Sequence, residues 1–251
     1  YKYNHLSLNS FFEDKLIFYN IYKCYMIKKI IIFNVIFIIC IITYLHFKKH
    51  NYISHEYTIE QIEHFIKPNI EESIKNKNPI IIRNIENNIE NKDDFDIETI
   101  ETTSLFNLFN ENNKNINNIL SKLSSPLSIR NFNKNYINYG KMNINSPILQ
   151  LKYDRTFIHV LSGNIKCYLF HPLQVSNLYL QKSQGIFKSN INTNNPNYEL
   201  YPKYKNENSI IILLRKYNIL YIPNHWAFYI EHLDNNAIYT FYNSHTLLSK
   251  I

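Results

Sequence analysis

Four residues in the C-terminal half of the chain are of types that bind divalent transition metals. His159 and His232 lie in apolar runs with strand character, His225 lies in a turn, and Asp154 precedes one of those runs. Imidazole nitrogens and carboxylate oxygens form iron and zinc sites when several of them converge. The plainer interpretation is that His225 caps a turn and His232 is a half-buried surface residue. A metal site therefore requires at least two of these side chains to meet.

Other catalytic motifs are missing from the sequence. It contains no G-x-S-x-G nucleophile motif, no phosphate-binding P-loop and no H-E-x-x-H zinc motif. The three cysteines, Cys24, Cys40 and Cys167, lack the spacing of a disulfide framework or a zinc site. Cys167 lies within an apolar run, where a buried and unreactive thiol is expected.

Short apolar runs separated by polar turns predict a mainly β domain in the second half of the chain. The predicted strands are Ile148–Tyr153, Thr156–Leu161, Lys166–Phe170, Ser209–Leu214, Ile219–Ile222, Ala227–His232 and Ala237–Tyr242. Many short strands joined by polar turns are typical of a sandwich or barrel, and a jelly roll is the natural closure.

Helical segments are predicted ahead of these strands. Ile59, Ile62 and Ile66 have helical spacing, so a helix is predicted over Tyr57–Lys67, ending at Pro68. A short buried strand is predicted at residues 78–84, an acidic and Asn-rich surface segment at 86–115, and one more short helix at 116–123.

The N-terminal region contains an apolar run long enough to cross a membrane. Residues 30–47 read IIIFNVIFIICIITYLHF, with two lysines directly before and two directly after. At about 1.5 Å per residue the run spans roughly 27 Å, and the flanking lysines can reach the lipid headgroups. An uncleaved single-pass anchor is predicted, with an N-terminal segment at 1–29, a linker at 48–56 and the folded domain at 57–251. A buried core element and a cleaved signal peptide are the alternatives, but no small-x-small cleavage site follows the run.

The lysines around the apolar run favour one orientation. Lys15, Lys23, Lys28 and Lys29 lie upstream, whereas only Lys48 and Lys49 lie close downstream. Lysine excess marks the cytoplasmic side, so the C-terminal domain is expected on the translocated side. A translation start at Met26 would remove this bias.

The formal net charge of +7 would suit an anionic partner. The lysines are nevertheless spread along the chain, without a basic cluster interleaved with aromatic residues, so nucleic acid is not the expected partner. The expected partners are the lipid bilayer, through residues 30–47, and a protein that the sequence does not identify.

Residues 220–230 read LYIPNHWAFYI, an apolar strand, a turn and an aromatic strand. This stretch resembles the closing signature Y-I-P-x-x-W-x-H-x-V of the JmjC-like cupins, the iron- and 2-oxoglutarate-dependent oxygenases built on a double-stranded β-helix. PIIIRN at 79–84, LFHP at 169–172 and YPKY at 201–204 match further family stretches in the right order. The resemblance covers about Tyr57 to Ile251 and implies a jelly-roll cupin fold, with a short helix at Leu173–Gln181.

The same resemblance implies three iron ligands, His-x-Asp/Glu and a distal histidine. Phe228 occupies the distal histidine position, and a phenyl ring cannot replace that ligand. Counting back from Gly163, the first pair falls on Gln150 and Lys152, or on Lys152 and Asp154 with a two-residue deletion. Neither alignment supplies a histidine, and both place an ammonium group in the site.

The family position that anchors 2-oxoglutarate also departs from the pattern. It holds Ile165, and Lys166 follows one residue later, where a strand turns the side chain to the other face. The resemblance therefore implies a dismantled site that needs neither iron nor 2-oxoglutarate, with Phe228 and Ile165 filling the vacated cavity.

These observations predict a membrane-anchored cupin-like protein without oxygenase activity, a pseudoenzyme that acts as a binding or scaffolding module. The alternative is an active Fe(II)/2-oxoglutarate-dependent protein hydroxylase, with ligands drawn from Asp154, His159, His225 and His232. A purely structural membrane protein is a third possibility, because a fold does not by itself define a function. A monomer, or a dimer through the membrane helix, is the expected assembly.

Overall fold

A computed structural model describes residues 4–54, 57–83, 85, 120, 123, 134–140, 142, 145–183, 186–235 and 237–244. The chain divides into two compact units, Tyr1–Asn51 and Tyr52–Ile251. The predicted segment at 86–115 lies outside the described residues, and of the predicted helix at 116–123 only residues 120 and 123 are described.

The first unit contains one long helix, α1 (Asn4–His50). Within it, Tyr22–Lys49 is long and apolar enough to cross a membrane by length and composition. The hydroxyl of Thr43 donates a hydrogen bond to the carbonyl of Ile39 at 2.8 Å. This bond satisfies a polar group that a hydrocarbon environment would otherwise leave unpaired.

The second unit is mainly β, as predicted. Its elements are β1 (Glu60–Ile62), α2 (Lys67–Asn76), β2 (Ile80–Ile82), β3 (Lys134–Gly140), β4 (Leu149–Gln150), β5 (Arg155–Ser162), β6 (Ile165–Phe170), a 3₁₀ helix (Pro172–Asn177), β7 (Leu180–Ser183), β8 (Ile186–Ser189), a second 3₁₀ helix (Pro202–Asn206), β9 (Ile210–Leu214), β10 (Ile219–Pro223), β11 (Ala227–His232) and β12 (Ala237–Ser244).

The strands form two six-stranded sheets, in the orders β1-β2-β10-β5-β12-β3 and β7-β8-β4-β11-β6-β9. We call them sheet A and sheet B. From β9 to β12 the chain alternates between the sheets, and the apolar faces of both contribute to one cluster. This alternation closes the two sheets into a sandwich around a common core.

The buried side chains between the sheets form a single apolar group that we call the interior cluster. Its members are Ile81, Ile158, Val160, Ile165, Cys167, Leu169, Ile212, Leu214, Leu220, Ile222, Trp226, Phe228, Ile230, Ala237, Tyr239 and Phe241. A second cluster on the opposite face of sheet A includes Ile70 of α2, so this helix covers the outside of that sheet.

Gly163 makes the turn that carries the chain from sheet A to sheet B. Its φ of 72° lies in the left-handed region, and a Cβ placed there would lie 3.0 Å from the Cα of Ala237. The carboxylate of Asp234 accepts hydrogen bonds from the backbone and side-chain amides of Asn164. The turn therefore requires glycine for both conformation and space.

The predicted helix at Tyr57–Lys67 is wrong. That stretch contains the short strand β1, which pairs in parallel with β2, and the helix begins at Lys67 instead. Pro68 was expected to end a helix, but it lies in the first turn of α2. Proline is tolerated there because the first-turn amides have no helical partner.

Strand pairing also replaces part of the predicted helix at Leu173–Gln181. A 3₁₀ helix ends at Asn177, and β7 then pairs with β8. The polar strands β1, β3, β7 and β8 were not predicted, because their sequences lack the apolar alternation that marks a half-buried strand.

Candidate functional site

Phe228 points into the interior of the sandwich. It is 1% exposed and belongs to the interior cluster. Its ring centroid lies 5.9 Å from that of Phe241 on the facing sheet. At the position where the resemblance implies a metal ligand, the structure has an aromatic contact between the two sheets.

The neighbouring strand β4 presents leucines to Phe228 rather than polar groups. Leu149 is the direct cross-strand partner of Phe228, and directly opposed residues share a face of the sheet. Leu149 and Leu151 both pack against the interior cluster. The strand therefore contributes hydrocarbon to the interior.

Gln150 lies on the other face of sheet B. It is paired with Ala227, and its side-chain amide donates a 2.7 Å hydrogen bond to the carbonyl of His225. This bond joins β4 to the turn before β11. Gln150 and Phe228, expected in one site, are separated by the sheet.

Lys152 lies outside the interior as well, in contrast to the expectation that it enters the site. Its side chain is exposed, with the ammonium nitrogen 5.0 Å from the ring centroid of Phe187. The ammonium group remains in water because burial of an unpaired charge costs on the order of several kcal/mol in proteins.

Ile165 is fully buried in the interior cluster. Lys166, the next residue, points outward, and its ammonium group lies 3.8 Å from the carboxylate of Glu231. No bulge restores an inward lysine, because β6 and β11 pair in continuous register from Ile165 to Phe170.

His159 is buried on the outer face of sheet A. It lies opposite Thr240 of β12, and among the described residues neither of its ring nitrogens has a hydrogen-bond partner. Burial lowers the pKa of His159 to about 4. The imidazole is therefore neutral at physiological pH.

His232 lies at the opposite end of β11 from His225. It pairs with Ile165, which directs it to the interior, and its ring centroid is 5.6 Å from that of Tyr239. His225 adopts a φ of 71° in the turn before β11. The strand β11, Ala227–His232, separates these histidines, and its two ends alone are about 17 Å apart.

Asp154 and His159 are also far apart. The amide of Asp154 donates to the carbonyl of Ser244 at one end of sheet A, and His159 lies five residues further, about 16 Å along an extended strand. His159 and His232 lie on different sheets. Among the described residues, no three of the four candidate ligands come together as a group that could hold a metal ion.

Sequence comparison places this domain in a known family. The profile of the family described as "cupin-like domain" matches residues 48–247. The chain belongs to the cupin-like domain family. The match begins ahead of the first strand and extends beyond the last, so it covers every strand of both sheets.

Individual relatives of this cupin-like chain are distant. The rat (Rattus norvegicus) HSPB1-associated protein 1 is 24% identical over 108 residues, which cover 42% of this chain and 22% of that protein. The chain therefore spans about a fifth of the length of this curated relative.

Two solved oxygenase structures match parts of this chain at low identity and low TM-score. One is hydroquinone 1,2-dioxygenase from Sphingomonas sp. TTNP3, at 14% identity and a TM-score of 0.31, covering 51% of this chain and 72% of the other. The other is YcfD, a ribosomal oxygenase from Escherichia coli, at 14% identity and a TM-score of 0.31, covering 45% and 23%.

The iron and 2-oxoglutarate that the resemblance implies do not fit the residues of this cupin-like domain. Around Phe228 the interior offers leucine, isoleucine and aromatic side chains, none of which is a ligand for a hard divalent cation. Within the described ranges, no group of three or more His, Cys, Asp or Glu side chains could hold a metal ion. Cys167 is buried in the same cluster, and burial raises the pKa of its thiol.

His171 is a buried residue whose contacts could not be predicted from the sequence. No partner for it is visible in the sequence, but it is 1% exposed. Its Nε2 donates a 2.8 Å hydrogen bond to the carbonyl of Ser54, and its Nδ1 accepts from the amide of Leu173. The ring also stacks on Tyr57 at 4.2 Å and meets the edge of Trp226 at 5.1 Å. His171 therefore attaches the segment before β1 to the sandwich.

Replacing His171 with alanine is expected to lower the free energy of unfolding by about 2 kcal/mol, because two hydrogen bonds of a buried side chain are lost, one to the carbonyl of Ser54 and one from the amide of Leu173. Urea unfolding followed by the fluorescence of Trp226, the only tryptophan, measures this loss. His64→Ala is the matched control because His64 is exposed. Equal stability of the two variants would contradict the role of His171.

Proposed function

We propose that this protein is a membrane-anchored cupin-like protein without oxygenase activity, and that its domain acts as a binding or scaffolding module. The observation that carries the proposal is the interior position of Phe228, which packs against Leu149 and Phe241. Such packing stabilises the fold but provides no ligand that could hold iron.

The second support is the distribution of the polar side chains. Gln150 and Lys152 are used on the outer side of sheet B, where they contact His225 and Phe187. Asp154, His159, His225 and His232 are dispersed over both sheets and a turn. A rearranged ligand set, which the hydroxylase alternative requires, would need large displacements of strands that are paired over most of their length.

Membrane anchoring is the third part of the proposal. Tyr22–Lys49 has the length and apolar composition of a spanning helix. The lysine excess upstream of the run supports a cupin-like domain on the translocated side. The proposed partners are the bilayer and a protein that binds the domain.

The metal content of the full-length protein in detergent tests the absence of an iron site. Iron, zinc and manganese are each expected far below one ion per chain after incubation with Fe(II) without oxygen and removal of the excess. No conversion of 2-oxoglutarate to succinate is expected, because the described residues contain no group of three or more His, Cys, Asp or Glu side chains that could hold the metal.

The variants His159→Ala, His232→Ala and Phe228→Leu make this experiment decisive. Stoichiometric iron that is lost in either histidine variant, together with 2-oxoglutarate turnover, would establish the hydroxylase alternative and refute the proposal. Phe228→Leu is the matched control, since it alters the interior without touching a candidate ligand.

A further inference from the structure

The strand β9 is an edge of sheet B that has no polar side chain. Its sequence is IIILL, and among the described residues it pairs only with β6. The other edge strands, β1, β3 and β7, read EQI, KNYINYG and LQKS. Each of these contains charged or amide side chains, which protect an exposed edge from pairing with another chain.

The side chains of β9 alternate between the interior and the surface. Ile212 and Leu214 are buried in the interior cluster, whereas Ile211 is 59% exposed and Leu213 is 44% exposed. Ile211 lies opposite Tyr168, whose ring stacks on Tyr229 at 4.3 Å. The exposed isoleucine thus continues an aromatic row across the outer face of sheet B.

An edge of this kind favours the addition of a further strand. No second strand within the described ranges pairs with its outward backbone groups, and its sequence lacks charge, proline and glycine. Exposed apolar edges with these properties pair with other chains unless they are covered. The chemistry of β9 therefore predicts that another strand covers it.

The sequence of β9 is complementary to itself in the antiparallel direction. A two-fold axis through Ile212 would place Ile211 of each copy opposite Leu213 of the other copy. The exposed residues of each strand would then form two aliphatic cross-strand pairs on one face. Ile210 and Leu214 would pair in the same way on the interior face.

The residues that flank β9 place no like charges opposite each other in this arrangement. Arg215 follows the strand and would lie opposite Ser209 of the second copy. Glu207 precedes the strand, but its carboxylate belongs to its own domain, where it accepts a hydrogen bond from the side-chain amide of Asn177. A parallel arrangement would instead place Arg215 of the two copies together.

We propose that β9 pairs with β9 of a second copy of this chain, so that the two B sheets form one continuous sheet across a two-fold axis. Five residues per strand make a small interface in comparison with stable dimers. The association is therefore weak for domains in solution, and attachment of both copies to one membrane strengthens it by raising their effective concentration.

Disulfide cross-linking of the full-length protein in lipid nanodiscs tests the register. Two differently tagged forms, Ile211→Cys and Leu213→Cys, are made in a Cys24→Ser/Cys40→Ser background, because Cys24 and Cys40 are exposed. Mixing them is expected to give several-fold more of the 211–213 product than either form gives alone, because only the mixed pair is directly opposed.

A second variant addresses the association itself. Ile211→Lys/Leu213→Lys is expected to abolish the mass of a dimer in light scattering, and Leu173→Lys/Leu200→Lys, at positions 57% and 67% exposed, is expected to leave it unchanged. A dimer that survives the first change, as pairing through α1 would give, overturns the proposal. So does a cross-linking yield that is equal for all combinations, or a protein that remains monomeric.

Discussion

The variant Phe228→Ala is expected to lower the free energy of unfolding by about 3–5 kcal/mol, the range for removal of a fully buried aromatic side chain. Phe228 is 1% exposed and lies between Leu149 and Phe241. The closely packed sheets cannot collapse fully around the missing ring, so a cavity term is added to the lost burial.

Urea unfolding of the full-length protein, followed through the buried Trp226, measures this effect. Phe228→Leu keeps most of the apolar volume and is expected to cost about 1 kcal/mol. Leu200→Ala, at a position 67% exposed, is the surface control and is expected to change stability by less than about 0.5 kcal/mol. A loss below about 1 kcal/mol for Phe228→Ala would show that the ring does not support the core.

His159 is expected to make the protein less stable as the pH falls. Burial lowers its pKa to about 4 in the folded state, whereas an unfolded histidine has a pKa of about 6.5. The unfolded chain therefore binds the proton first, and stability decreases from pH 6.5 down to about pH 4. By linkage, the loss from this residue alone approaches about 3 kcal/mol near pH 4.

Because carboxylates contribute to acid unfolding too, the difference between wild type and His159→Leu isolates the effect. The variant is expected to gain about 3 kcal/mol relative to wild type between pH 7 and pH 4, since it has no group to protonate. His64→Leu, at an exposed position, is the matched control and should run parallel to wild type. Parallel curves for His159→Leu would contradict its burial in a neutral form.

The predictions from sequence succeeded where one apolar pattern covered a whole strand. The central strands of both sheets, among them β5, β6, β10 and β11, were predicted to within one or two residues. These strands are buried on at least one face for most of their length, so their apolar residues mark them as strands in the sequence.

Predictions failed where an element depends on a partner strand distant in sequence. Two of the three residues of β1 are exposed, so no apolar pattern marks it as a strand. It forms by parallel pairing with β2. Pro68 was assigned to the end of one helix, but it lies in the first turn of another. Proline is common at both places, so its position in the sequence does not distinguish them.

The candidate site shows the same division. Phe228 was predicted at the interior position from one motif, and the sheet places it there. Gln150 and Lys152 were assigned to the same site by counting along the chain, but a strand reverses its face at every residue. Only the pairing of Gln150 with Ala227 reveals that Leu149 faces Phe228.

The sequence by itself determined the membrane-length apolar helix, the mainly β domain, the resemblance to the cupins and the missing ligand at Phe228. These are properties of composition and of short motifs, which need no partner. The tertiary structure decided which face each residue of β4 presents, the dispersal of the four candidate metal ligands, the burial of His171 beneath Tyr57, and the isolation of β9 at a sheet edge. All of these depend on strand register, and register is set by contacts between segments that are far apart in the chain.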